Sequence, residues 1–89
     1  MNKLEELRSA ISQIDAELIA LIARRYQLSQ QIGSYKHQHN LAVYDPSREA
    51  VLREFHAEEC RKNELASHVV ARIFEILIEE SRKFQHHEQ

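Results

Sequence analysis

Leu4, Leu7, Ile11, Ile14, Leu18, Leu21, Leu28, Ile32 and Tyr35 fall on alternating steps of three and four, with one position skipped between Leu21 and Leu28. That spacing keeps an apolar seam along one side of a helix and predicts a single helix from about Leu4 to about His39. Gly33 is its weak point, costing roughly 1 kcal/mol against alanine. A helix of about 36 residues is roughly 54 Å long, whereas a compact globule of this chain length has a radius of gyration of roughly 12 Å. The helix must overhang its own globule. Its seam then needs a partner, and the simplest is a second copy of the chain. The pattern therefore predicts a homodimer.

The stretch from His37 to Tyr44, containing Asn40, reads as a loop. Asp45-Pro46 opens a second helix, with Asp at the N-cap and Pro at the first helical position. That helix runs to about Arg61, with Val51, Leu52 and Phe55 as its apolar face. Lys62 to Ala66 reads as a turn, with Asn63 or Ser67 as the next cap. A third helix runs from about Ser67 to about Gln85 and carries Val69, Val70, Ile73, Phe74, Ile76, Leu77 and Ile78. The His86-His87-Glu88-Gln89 tail reads as frayed. The predicted fold is all-α, with one long and two shorter helices forming a single domain over residues 1–89 and no second catalytic domain.

Composition agrees. The 89 residues include one Gly and one Pro, too few breakers for many turns. Twelve basic and fourteen acidic side chains give a formal charge of −2, against the basic face of a nucleic-acid module. The N-terminal MNKLEELRSA has no apolar signal stretch and no run is long enough to cross a bilayer, so a cytoplasmic protein without a membrane partner is expected. A single cysteine, Cys60, excludes an internal disulfide and reads as a surface or half-buried thiol rather than a nucleophile. His37/His39 and His86/His87 lack the helical i, i+4 metal spacing, and no metal site is expected.

The candidate chemistry lies where the pattern breaks. Arg25 stands in the seam, midway between Leu21 and Leu28, where a charge is costly unless paired. An ordinary partner would be a Glu of another helix, or the side chain would snorkel outward. Lys36 is eleven residues on, close to three turns, so both cations point roughly the same way. Long side chains there can close on a small anion, although a lysine near a helix end also suits the dipole. Arg8 flanks the seam but lies roughly 25 Å from Arg25 along the axis, so only a partner helix brings a second Arg8 near it. Arg48 and Glu49 occupy the first turn after Asp45, a natural anion and hydrogen-bonding site; Glu49 also suits the dipole and can pair with Arg53. Phe74, Ile78, Ser81 and Gln85 form one stripe on the third helix, apolar at its start and hydrogen-bonding at its end.

In order and spacing, LRSAISQIDAELIALIARR, IGSYK, DPSRE and IFEILIEESRKFQ resemble the all-helical class of chorismate mutases over essentially the whole chain, Leu4 to Gln85. The resemblance implies an intertwined homodimer with two shared active sites that convert chorismate to prephenate, in aromatic amino-acid synthesis, without a cofactor. It implies that Arg8 of one chain joins Arg25, Lys36, Asp45, Arg48, Glu49, Ser81 and Gln85 of the other. Arg8 and Arg25 would clamp the carboxylates of the small dicarboxylate substrate, and Lys36 and Gln85 would face its ether oxygen. Glu49 and the backbone near Asp45 would take the ring hydroxyl, Ser81 would touch a carboxylate, and Arg48 would order the wall. Two other readings remain at this point: an isochorismate-pyruvate lyase on the same fold, and a non-catalytic helical dimerisation module.

Overall fold

The computed structural model describes residues 2–87, with side chains through Gln85. Three helices follow in order: α1 (Lys3–Gln38), α2 (Pro46–Lys62) and α3 (Ser67–His87). Each boundary has a local cause. The Asn2 side chain accepts from Glu5 N–H at 2.8 Å to cap α1. At the start of α2 the Asp45 carboxylate accepts from Arg48 N–H at 3.2 Å, with Pro46 following as expected. Asn40 turns the chain out of α1 in the left-handed region, φ 57°, which asparagine tolerates better than most residues. Asn63 is not the N-cap of α3. Its side chain donates to the Glu59 carbonyl at 2.8 Å, so it closes the C-terminus of α2. The tail is less frayed than its composition predicts: α3 continues through His87, and Glu88 and Gln89 lie outside the described residues.

The molecule measures 57 × 25 × 16 Å and has a radius of gyration of 16.5 Å. That exceeds the roughly 12 Å of a compact chain this long, and the overhang of α1 is the reason. Every residue from Asn2 to Leu21 is exposed. The seam residues Leu7, Ile11, Ile14 and Leu18 are half-exposed or more, a continuous apolar stripe of the kind that marks an interaction surface. No described helix is long and apolar enough to cross a membrane.

α3 packs against both α1 and α2, which do not pack on each other. The face α1 turns toward α3 is not the apolar seam but the one beside it, which carries Ser29 and Gly33, with Arg25 and Lys36 at its border. Ser29 and Gly33 are buried, while Leu28 and Ile32 stay about half exposed. On α3 the matching stripe is Leu77 and Ser81, both buried, and Gln85. Gly33 is therefore more than a tolerated weak spot. A Cβ there would stand 2.7 Å from Gln85 Cα and 3.2 Å from its carbonyl oxygen. Only a glycine lets the two backbones come this close.

Gly33→Ala is expected to reverse the usual helix-propensity gain of roughly 1 kcal/mol and to destabilise the chain by about 1–3 kcal/mol, as overpacking does. Thermal or denaturant unfolding checks this; an unchanged or raised midpoint contradicts the close approach.

Candidate active site

Because α1 and α2 meet only through α3, they leave a cleft of about 840 Å³ between them, floored by α3. Arg25 and Lys36 enter it from α1, Asp45, Arg48 and Glu49 from the start of α2, and Ser81 and Gln85 from α3. Leu52, Phe74 and Ile78 give it apolar walls. Of the residues singled out in the sequence, Arg8 alone lies elsewhere, on the exposed overhang, 3.5 Å from Glu5.

Arg25 is half-buried. Its Nη1 donates to Ser81 Oγ at 2.7 Å and more weakly to the Leu77 carbonyl at 3.4 Å, and its guanidinium lies 5.7 Å from the centre of the Phe74 ring. Lys36 Nζ donates to the Val43 carbonyl at 2.9 Å and to Gln85 Oε1 at 3.1 Å. All these acceptors are neutral. Among the described residues neither cation has a carboxylate within ion-pair distance. Burial pushes the Arg25 guanidinium below its ordinary value, with Tyr26 opposing, yet arginine stays charged at any physiological pH. The α1–α3 wall thus presents two positive charges held by neutral groups.

A run of hydrogen bonds joins the two. Gln85 Nε2 donates to Ser29 Oγ at 3.3 Å, and Ser29 Oγ donates to the Ser81 carbonyl at 3.1 Å, while the Ser81 hydroxyl receives Arg25. An ammonium can only donate, so the Gln85 amide must turn its oxygen to Lys36 and keep its NH2 as a donor.

The opposite wall is built differently. Glu49 does not pair with Arg53 along α2; its Oε1 accepts from Arg82 Nη2 of α3. The Arg82 guanidinium also lies 4.8 Å from the Tyr44 ring centre. His56 stacks on Phe74 with centroids 3.9 Å apart and lines the same cleft. Cys60 is buried at the cleft's far end rather than at the surface, and is a free thiol. Sequence reasoning missed Ser29, His56 and Arg82. Small residues at Ser29 and Gly33, four apart beside an apolar seam, are a readable sign of close packing; nothing along the chain marks Arg82.

Residues 7–86 match the chorismate mutase type II family. The chain belongs to that family. It is 31% identical over 85 residues to the chorismate mutase of Methanocaldococcus jannaschii, covering 96% of this chain and 86% of that one. It is 36% identical over 81 residues to the T-protein of Haemophilus influenzae and 35% over 80 residues to the bifunctional chorismate mutase/prephenate dehydratase of Escherichia coli K12. Those alignments cover 91% and 90% of this chain but only 22% and 21% of the longer relatives. The all-helical class expected from the sequence is therefore the one observed, and the cleft is the candidate active site of a chorismate mutase type II chain.

His56 gives this site a pH signature. Burial holds its imidazole below the ordinary 6.5, and Arg25 and Arg48 push the same way. The folded chain therefore disfavours the proton that the unfolded chain accepts. The stability this neutral ring contributes is complete above about pH 6.5 and is lost as pH falls through the lower folded value. Denaturant melts between pH 7.5 and 5 are expected to show a decline that His56→Asn flattens; equal slopes in both proteins contradict it.

Proposed function

We propose that the chain catalyses the rearrangement of chorismate to prephenate, in a cytoplasmic setting, on a cleft completed by a second copy of itself. The observation that carries this reading is the pair of half-buried cations, Arg25 and Lys36, held only by neutral acceptors beside a donor amide. A charge so placed needs an anionic guest, and chorismate is a dianion. Membership of the chorismate mutase type II family supplies the reaction.

The rearrangement is intramolecular and asks for no nucleophile and no proton transfer, so the protein acts by holding the substrate in its compact reactive shape and stabilising charge on the breaking ether bond. In this reading Arg25, steadied by Ser81, grips one carboxylate in a two-pronged contact. Arg8 of the second copy grips the other, drawn in by the overhang of α1 and its open apolar seam. Each such charged contact contributes roughly 1.5–3 kcal/mol. Lys36 and the Gln85 amide approach the ether oxygen, with Gln85 Nε2 exchanging Ser29 for substrate. Glu49 and the backbone near Asp45 take the ring hydroxyl, and Arg48 orders the wall. Neither a nucleic acid nor a membrane has a part in this account.

Incubating the purified chain with chorismate and following prephenate by NMR tests the reading. Prephenate is expected; no prephenate from chorismate, with pyruvate released when isochorismate is supplied in a parallel incubation, overturns it. Arg25→Ala should lower kcat/KM by about a hundredfold or more, the value of roughly one to two charged contacts in the transition state. Arg25→Leu giving a more stable and equally active protein contradicts the assignment. Gln85→Glu should move the activity optimum to acid pH, because a carboxyl donates a hydrogen bond only when protonated while an amide donates at every ordinary pH. An unchanged pH profile rejects the role given to Gln85.

A further inference from the structure

The helix that carries Glu49, α2, packs on α3 and not on α1. At the start of α2 the side chain that ties Glu49 to α3 is Arg82. Arg82 follows Ser81, the residue that receives Arg25, so neighbouring positions of one helix serve opposite walls. Its guanidinium reaches the Glu49 carboxylate through Nη2 and lies against the Tyr44 ring in the lead-in to α2. Lys36 holds the same lead-in from the other side through the Val43 carbonyl.

Three features show that Arg82 does more than add a surface ion pair. The Glu49 side chain is only 19% exposed, so its carboxylate is largely withdrawn from water and depends on a partner. A partner was available on its own helix, Arg53 one turn on, yet Glu49 is turned away from it toward the cleft and Arg82. Finally, Arg82 Nε is buried without a hydrogen-bond partner among the described residues. Nε and Nη2 form one edge of the guanidinium fork, the edge that receives a carboxylate two-pronged. With Nη2 on Oε1, Nε is poised for the second oxygen. The Tyr44 ring limits how the fork can turn.

We propose that Arg82 is a positioning residue: it fixes the Glu49 carboxylate in the orientation that meets the ligand's hydroxyl, and Tyr44 keeps the guanidinium in register. This rests on the proposed function only in assigning a hydroxyl contact to Glu49. A carboxylate preset by Arg82 loses no rotational freedom when the ligand arrives, so the benefit falls on binding. A lysine can pair with Glu49 but cannot fork, and it lies less well on an aromatic face.

The test is a kinetic cycle on the full chain with chorismate, comparing Arg82→Gln, Arg82→Lys, Glu49→Gln and the double variant, each checked by thermal melt. Arg82→Gln is expected to raise KM about tenfold with a smaller change in kcat, and Arg82→Lys to recover part of that loss. In the Glu49→Gln background the same change should add less than about twofold, because there is no carboxylate left to orient. An equal penalty in both backgrounds overturns the proposal, since Arg82 then acts without Glu49; so does an unchanged KM. A crystal structure of Arg82→Gln separates this inference from the reaction assigned above. A Glu49 carboxylate swung out of the cleft or spread over several rotamers supports it even if the wild-type chain leaves chorismate untouched, whereas a carboxylate still in place overturns it even in an active enzyme.

Discussion

Two positive charges in a half-buried wall, each held by neutral acceptors alone, set the terms for the rest of the molecule. Arg25 leans on a hydroxyl, a carbonyl and an aromatic face, and Lys36 on a carbonyl and an amide oxygen. Such groups hold a cation in place without neutralising it, so the wall remains attractive to an anion. Keeping the acceptors within reach requires α1 and α3 to run unusually close, which Ser29 and Gly33 permit. One glycine thereby bears on the geometry of both cations, because Gln85 is the residue it touches and Gln85 is also the partner of Lys36.

The two walls of the cleft use opposite electrostatic strategies. On the α1 side the cations are left uncompensated. On the α2 side the acid is matched by a base from α3, Glu49 by Arg82, and the Asp45 carboxylate is occupied with capping α2. In the proposed function, a guest carrying two carboxylates and a hydroxyl would meet charge on one side and a hydrogen-bonding carboxylate on the other. This division suits a reaction whose catalyst has nothing to do but orient and stabilise.

Much of this was legible in the sequence because it is local. Heptad spacing gave the length of α1 and its overhang; Asp45-Pro46 located α2; the Phe74–Ile78–Ser81–Gln85 stripe faces the cleft as its spacing implies. What escaped was set by partners distant along the chain. Periodicity of apolar residues locates the open seam and passes over the small-residue face on which α1 meets α3, so Gly33 reads as a defect. Glu49 has a plausible local partner in Arg53, and only the approach of α3 decides for Arg82. Asn63 suits either side of a turn, and the turn's path gives it to α2. Cys60 carries no mark of burial along the chain, and only the folded chain buries it.

In the proposed dimer each site takes Arg25 from one chain and Arg8 from the other. The direct measurement is complementation between two inactive variants, Arg8→Ala and Arg25→Ala, refolded together and assayed on chorismate. Mixed dimers would contain one site with both arginines intact, so activity should climb from near zero to about a quarter of wild type under random pairing. A mixture no more active than its parents contradicts the shared site.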